Sequence, residues 1–368
     1  MRVPFLDLKA AYDELAGRAE PAMLRALRSG WYILGPEVEA FEGAFARYCG
    51  VSHAIGVANG LDALRLALMA LEIGPDDKVL VPSNTYVATW LAVSQCGAIP
   101  VPVEPDRATH NITAEGIRAA MQPGVKAVIP VHLYGQPADM TAICAAATEL
   151  KLSVIEDAAQ AHGAAWNGQR IGGHGDMACW SFYPGKNLGA VGDAGGITTN
   201  NHALADRLRM LRNYGSREKY RNDYAGLNSR LDPVQAAFLA VKLEALEEWN
   251  CRRAKVAETY LDGLTGPDLI LPQIALGATS AWHLFVIRHP RRDALAQRLA
   301  DMGVQTQIHY PIPPHAQNAY ASQALSDQEL PLATQLAREV LSLPIGPHLS
   351  ERQSFQVISA VNKILIDL

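Results

Sequence analysis

Lys186 lies in the run Ser181-Phe182-Tyr183-Pro184-Gly185-Lys186-Asn187-Leu188-Gly189, just past an apolar segment, in a loop held by Pro184, Gly185 and Gly189. An amine so placed can condense with an aldehyde and then serve as a general acid and base. A solvated surface lysine fits that segment equally well, although loops on rigid scaffolds often carry function. Asp157 closes the apolar run Ser153-Val154-Ile155-Glu156-Asp157. There it can hold a protonated ring nitrogen by a charge-assisted hydrogen bond, or cap a following helix. Gln160, three residues on, can reach a ring hydroxyl or complete a capping box. Asn59-Gly60-Leu61-Asp62-Ala63 is a glycine turn ahead of an amphipathic segment. Free N–H groups and the helix dipole at such a start favour a phosphate, although most Asn-Gly pairs are plain turns. Ser181 adds a hydroxyl donor. Tyr86, in Pro82-Ser83-Asn84-Thr85-Tyr86, opens the element after a strand and can stack on a ring or pack in a core.

These groups answer the demands of pyridoxal 5′-phosphate (PLP): an amine for its aldehyde, a carboxylate for its pyridine nitrogen, a partner for its hydroxyl, a flat cover and a phosphate cradle. His162, Tyr183, His309 and Tyr310 are candidates to touch a substrate. Lone histidines more often pack or face solvent. No His/Glu or Cys cluster has zinc-site spacing, so no metal is expected. No Gly-Xaa-Ser-Xaa-Gly elbow appears, and no Gly-Xaa-Gly-Xaa-Xaa-Gly follows an early strand.

The elements that would carry these residues can be read from periodicity. Lys78–Ser83, Lys126–Tyr134, Leu152–Asp157 and Asp176–Phe182 read as buried strands, and residues 194–200 as another weakened by glycines. Asp62–Ile73, Tyr86–Cys96 and Asp139–Leu150 read as helices between them. Such alternation predicts an α/β fold with a mostly parallel sheet covered on both faces, with ligands outside the carboxyl ends of its strands. Pro233–Leu261 is a long helical pattern linking two domains. Beyond it, Trp282–Arg288 and Val304–Tyr310 read as strands, and Asp293–Met302, Pro331–Leu341 and Glu351–Ile366 as helices of a smaller α+β domain.

Bulk properties narrow the class. A chain of 368 residues, 49% of them hydrophobic, can form one large and one small domain. A net charge of −5 points to neither nucleic acid nor an anionic membrane as partner. No apolar run approaches the roughly 18 residues of a membrane span. The start, interrupted by acidic residues, does not read as a secretory signal. Five scattered cysteines fit reduced thiols, so the expected localisation is cytoplasmic.

In this order the segments resemble the sugar aminotransferases of the DegT/DnrJ/EryC1/StrS family, within the fold-type I PLP enzymes. The resemblance runs from about Phe5 to the last helix. Its blocks are Trp31-Tyr32-Ile33-Leu34-Gly35, VANGLDAL (57–64), PSNTYVAT (82–89), PVHLYGQPADM (130–140), IEDAAQAHGA (155–164), SFYPGKNLGAVGDAGG (181–196), LRNYGS (211–216) and GLNSRLDPVQAA (226–237). It implies a large PLP-binding domain (1–245) with a mostly parallel seven-stranded sheet flanked by helices, and a small C-terminal α+β domain (246–368). It implies Lys186 as Schiff-base partner and proton shuttle, Asp157 on the pyridine nitrogen, Gln160 on the ring hydroxyl and Tyr86 stacked on the ring. Backbone N–H groups of Gly60, Leu61 and Asp62, with Ser181, would bind the phosphate. Asn228 would reach the phosphate of a neighbouring subunit, making the active unit a homodimer with shared sites. Many members carry Thr where this chain has Leu61, which removes one hydroxyl from the cradle. The lysine argues against the dehydratase branch, where a histidine replaces it. The implied reaction moves the amino group of L-glutamate to a nucleotide-linked keto-sugar. The Asn59-Gly60-Leu61-Asp62 variant and the segment Ile308–His315 resemble the branch acting on C3 of dTDP-3-keto-6-deoxyhexoses, giving a dTDP-3-amino-3,6-dideoxyhexose of the 3-aminoquinovose or 3-aminofucose type. The alternatives are a 4-keto-sugar or UDP-linked 3-keto-sugar aminotransferase, and a non-catalytic regulatory paralogue.

Overall fold

In the computed structural model, which describes residues 2–323 and 325–368, seven strands form one sheet. They are β1 (His53–Val57), β2 (Lys78–Pro82), β3 (Ile99–Val103), β4 (Val125–Val128), β5 (Ser153–Asp157), β6 (Met177–Ser181) and β7 (Gly195–Thr199). Their order across the sheet is β1-β7-β6-β5-β4-β2-β3, and β7 alone runs against the other six. The α/β architecture and the mostly parallel seven-stranded sheet are as expected.

The helices of this region are α1 (Leu8–Arg28), α2 (Pro36–Cys49), α3 (Gly60–Ala70), α4 (Val87–Gln95), α5 (Ala114–Ala119), α6 (Met140–Leu150), α7 (His202–Leu211) and α8 (Pro233–Gly263). Side chains alternate along each strand, so the two faces carry separate cores. Leu80, Val128 and Val154 meet Phe41 and Phe45 of α2, Ile143 of α6 and Leu239 of α8. Val79, Val81, Ala127 and Ile155 meet Leu64 and Leu68 of α3, Trp90 of α4 and Leu208 of α7. That double cover explains why the inner strands are buried at nearly every position. A buried ion pair joins the layers: Arg212 holds Glu42 of α2, donates to the Gly56 carbonyl at 2.7 Å, and Glu42 accepts from the Gly56 N–H at 2.7 Å. Removing one member would strand the other charge in the interior.

Two strands were invisible to the pattern, and both are edges of the sheet. β3 carries Pro100 and Pro102, which cannot donate to a ladder and are tolerated because only one side of that strand is paired. β1, five residues at the opposite edge, is followed at once by the Asn59 turn. The expected strand Lys126–Tyr134 stops at Val128; Leu133–Gly135 is a 3₁₀ turn.

Past α8, β8 (Phe285–Arg288) pairs antiparallel with β9 (Val340–Leu343) among α9 (Arg292–Asp301), α10 (Pro331–Glu339) and α11 (Glu351–Ile366). Their core is a third cluster of Phe285, Leu295, Leu341 and Val361 around Tyr260 of α8, joined by Val3. The residues expected to close the helix from Pro331, Val340 and Leu341, instead open β9. Val304–Tyr310 is not a strand; it makes only single bridges, Val304 to Val3 and Gln307 to Ser342.

Candidate active site

Asp157 is the last residue of β5, at the carboxyl edge of the sheet and flanked by β4 and β6. No helix starts after it, so it is not a helix cap. Its Oδ1 accepts the Ala159 N–H at 3.2 Å, and its Oδ2 accepts the Thr89 hydroxyl at 2.9 Å. Thr89 lies one turn into α4; with its own proton committed to Asp157, it accepts from the Thr85 hydroxyl at 3.0 Å. Burial pushes the Asp157 carboxyl up, against the pull of Thr89, Ala159 and Lys186. A carboxylate in that state gains from a cation brought beside it.

Lys186 follows β6 and is half-buried; its N–H donates to the Tyr183 carbonyl at 2.8 Å. Burial lowers its amine to about 8, opposed by Asp157, so a sizeable neutral fraction is available near neutral pH. The next residue anchors the loop. Asn187 Nδ2 donates to Asn250 Oδ1 and the Ala281 carbonyl, and Asn187 Oδ1 accepts from His283 Nδ1 at 3.1 Å. From α8, buried Lys242 donates to the Gly189 carbonyl at 2.7 Å.

Gln160 Oε1 accepts the Tyr134 N–H at 2.6 Å, and its Nε2 donates to the Tyr310 hydroxyl at 3.1 Å. The amide is thereby oriented, with one N–H left for a ring oxygen. Tyr86, exposed at the start of α4, has its ring 5.1 Å from that of Tyr310.

The Asn59 turn and Ser181 meet. A Cβ on Gly60 would stand 2.7 Å from Ser181 Cβ, and one on Gly195 of β7 would stand 2.4 Å from the Asn59 carbonyl oxygen. Only glycines allow this approach. Asn59 caps α3, its Oδ1 accepting the Asp62 N–H at 2.8 Å. That corrects the expected cradle: the Asp62 N–H is already used, and the N–H groups of Gly60 and Leu61 are the ones left at the helix start. Leu61 packs its side chain on the α3 core.

A cavity of about 390 Å³ opens between these elements and the C-terminal cluster; its lining includes Gln160, Tyr183, Lys186, Arg253, His283, His309 and Tyr310. Of the four expected substrate residues, Tyr183, His309 and Tyr310 lie on its wall. His309 is held by Nδ1 against Ser342 Oγ at 2.8 Å, and burial lowers it to about 4. His162 does not line the cavity. Its ring is buried against Trp180 and Phe182, with centroids 5.2 and 5.7 Å away, because the tight Ala161-His162-Gly163 turn directs it into the core. Asn228 is exposed beside Asn213, away from this cavity. Thr85, Thr89, Arg253 and His283 were missed by sequence reasoning.

Each of the five demands of PLP therefore has a chemical match: a half-buried amine, a buried carboxylate short of a cation, an oriented amide, the exposed Tyr86 ring and a glycine-lined helix start. Among the described residues no cluster suits a metal ion, and no helix is long and apolar enough to cross a membrane.

The model of the DegT/DnrJ/EryC1/StrS aminotransferase family matches residues 14–362. The chain is 53% identical over 363 residues to the dTDP-3-amino-3,4,6-trideoxy-alpha-D-glucose transaminase of Streptomyces venezuelae, covering 98% of this chain and 96% of that one. It is 50% identical over 361 residues to the dTDP-3-amino-3,6-dideoxy-alpha-D-galactopyranose transaminase of Aneurinibacillus thermoaerophilus, covering 98% and 99%. Its fold superposes on the X-ray structure of S. venezuelae DesV with a TM-score of 0.97 at 52% identity, over 99% of this chain and 98% of that one.

Proposed function

From the premise that the chain belongs to the DegT/DnrJ/EryC1/StrS aminotransferase family, we propose that it transfers the amino group of L-glutamate to C3 of a dTDP-linked 3-keto-6-deoxyhexose. The product is a dTDP-3-amino-3,6-dideoxyhexose. The observation that carries this reading is the placement, at one edge of the sheet, of the Lys186 amine and the buried Asp157 carboxylate, near enough for each to act on the other's charge. The regiochemistry follows the two relatives, whose names both place the amino group at C3.

PLP is the cofactor; when bound, it supplies the electron sink that makes the hydrogen on the amino-bearing carbon acidic. Lys186 Nζ would hold the cofactor by its aldehyde, and its amine would accept and return the proton of the substrate's amino-bearing carbon. The low amine pKa leaves Nζ free to accept that proton. Asp157, its charge steadied by Thr89 and the Ala159 N–H, would hold the pyridine nitrogen in its protonated form. Gln160 would donate to the ring hydroxyl, Tyr86 would cover the ring, and the N–H groups of Gly60 and Leu61 with the Ser181 hydroxyl would hold the phosphate. Tyr183, His309 and Tyr310 orient the sugar, His309 as a neutral ring.

The division into residues 1–245 and 246–368 belongs to this proposal; the separate core around Tyr260 and Phe285 supports it. So does a homodimer in which Asn228 completes the neighbour's phosphate site. Exposed Trp31, Tyr32, Ile33, Tyr214 and Tyr220 offer apolar surface for it. We place the protein in the cytoplasm, in keeping with five free cysteines.

The test is turnover of purified holoenzyme with L-glutamate and a dTDP-3-keto-6-deoxyhexose, the product's amino carbon being located by NMR. Amination at C3 supports the reading. A 3-keto substrate left unchanged while its 4-keto isomer reacts overturns it.

A further inference from the structure

Four arginines are deeply buried: Arg212, Arg253, Arg288 and Arg292. Three of them hold a carboxylate, of Glu42, Glu339 and Asp293 respectively. Arg253, 4% exposed, has no such partner among the described residues. A buried cation without an anion is costly, and the cost stands until something else supplies the charge.

The guanidinium is only half used. Nη1 meets the backbone oxygens of Trp282, His283 and Ile345, each at 3.4 Å, the outer limit of a hydrogen bond. Nε and Nη2 meet no acceptor among the described residues, yet neither is sealed off from solvent. Burial lowers the group to about 10 with nothing acidic opposing it. Arg253 lines the cavity beside Lys186, and among the described residues no Asp or Glu lines that cavity. The nearby groups deepen the shortage of negative charge. Lys242 repels Arg253 along α8, and burial keeps His283 and His309 neutral.

We propose that the free Nε–Nη2 edge of Arg253 binds a carboxylate of the amino donor, an inference that rests on the aminotransferase reading. Two parallel N–H donors match a carboxylate bidentately. The donor's amino carbon must come within reach of Lys186 Nζ, and Arg253 shares that wall. A nucleotide-sugar also carries anionic charge, but its diphosphate is separated from C3 by the sugar ring and so lies away from the lysine.

The probe is maleate, a dicarboxylate with no amino group, titrated into holoenzyme by calorimetry. For Arg253→Gln the maleate Kd and the KM for L-glutamate each rise about 30-fold or more, the value of a charge-assisted pair, while the keto-sugar KM stays put. Arg253→Lys recovers part of the loss, because it keeps the charge but not the fork. A maleate Kd within about threefold of wild type, or a keto-sugar KM that climbs in step with that of glutamate, overturns the proposal. The second outcome would mark a diphosphate site or a brace for the three carbonyls. If the glutamine variant does not fold, a wild-type crystal soaked in maleate decides: a carboxylate on Nε and Nη2 supports the proposal, and maleate bound elsewhere refutes it. Failure of the transaminase reading itself looks different, since wild-type holoenzyme would then show no change in cofactor absorbance with glutamate.

Discussion

Thr89→Val removes one hydroxyl and little volume, from a residue that touches neither substrate nor cofactor in the proposed mechanism. Its Oγ1 donates to Asp157 Oδ2 at 2.9 Å in a fully buried setting. A hydrogen bond to a charged group there is worth about 1.5–3 kcal/mol, or roughly one to two pKa units of the acceptor. Asp157 must be ionised to hold a protonated ring nitrogen, and burial already works against that charge. Without Thr89 the carboxyl titrates higher, so the acid limb of cofactor retention moves up by about one to two pH units. Holoenzyme dialysed across a pH series, with bound PLP read by absorbance, measures the limb directly. Thr89→Ser keeps the hydroxyl and is the control for packing. Retention curves for Thr89→Val and wild type that superimpose would refute the reasoning, as would a serine variant shifted as far as the valine one.

Four further outcomes follow from the same geometry. In apoprotein mixed with PLP, the rate of covalent attachment rises about tenfold per pH unit and levels off near 8, since only the neutral Lys186 amine reacts; stopped-flow absorbance with a midpoint near 10 would contradict this. The raised Asp157 pKa means that folded apoprotein holds its proton above the pH at which the unfolded chain releases it. Apoprotein stability therefore falls as pH rises from the ordinary aspartate value of 3.8 through the raised one, and Asp157→Asn removes that fall while abolishing PLP retention, both read by thermal melts and absorbance. Glu42→Ala leaves Arg212 buried without its anion and costs about 3–5 kcal/mol, seen as a lowered urea midpoint. Lys186→Ala and Asn228→Ala proteins, each inactive, regain about a quarter of wild-type activity when unfolded together and refolded in equal amounts, because half the dimers are mixed and carry one intact site; no regain would place Asn228 in its own subunit's site.

How much of this was legible in the sequence depended on how directly each residue is tied to a strand. β2 and β6 could be read because they are covered on both faces and apolar nearly throughout, and β5 because its buried Val154 and Ile155 lead straight into the acidic pair that ends it. β1 and β3 escaped because an edge strand is short or tolerates proline. Val340 and Leu341 escaped because a short apolar stretch suits a helix end and a strand equally until a partner, here β8, selects one. The same rule sorts the site. Asp157, Gln160, Ser181 and Lys186 end or closely follow a strand, so chain order alone puts them at one sheet edge. His162 is equally near, but a side chain's direction out of a tight turn is set by what it packs on, here Trp180 and Phe182. His283 joins the cavity through Asn187, 96 positions earlier, and no local motif encodes such a meeting.

Arg253 is the instructive exception, because its signal was present and went unused. Leu246, Trp249, Arg253, Val256 and Tyr260 are spaced by alternating threes and fours, one face of a helix, and all are buried in α8. An arginine on that face has three physical solutions: its stem covers apolar surface while its head reaches water, a carboxylate meets it inside, or a cavity admits an anion to it. Burial removes the first, and the absence of an acidic partner among the described residues removes the second. The third remains, and it is the one that also explains why, among the described residues, no acidic side chain lines the cavity beside Lys186. On this argument the donor's carboxylate completes an ion pair that the chain leaves open, and amino acids lacking a carboxylate in reach of Arg253 are poor donors however well their amino group fits.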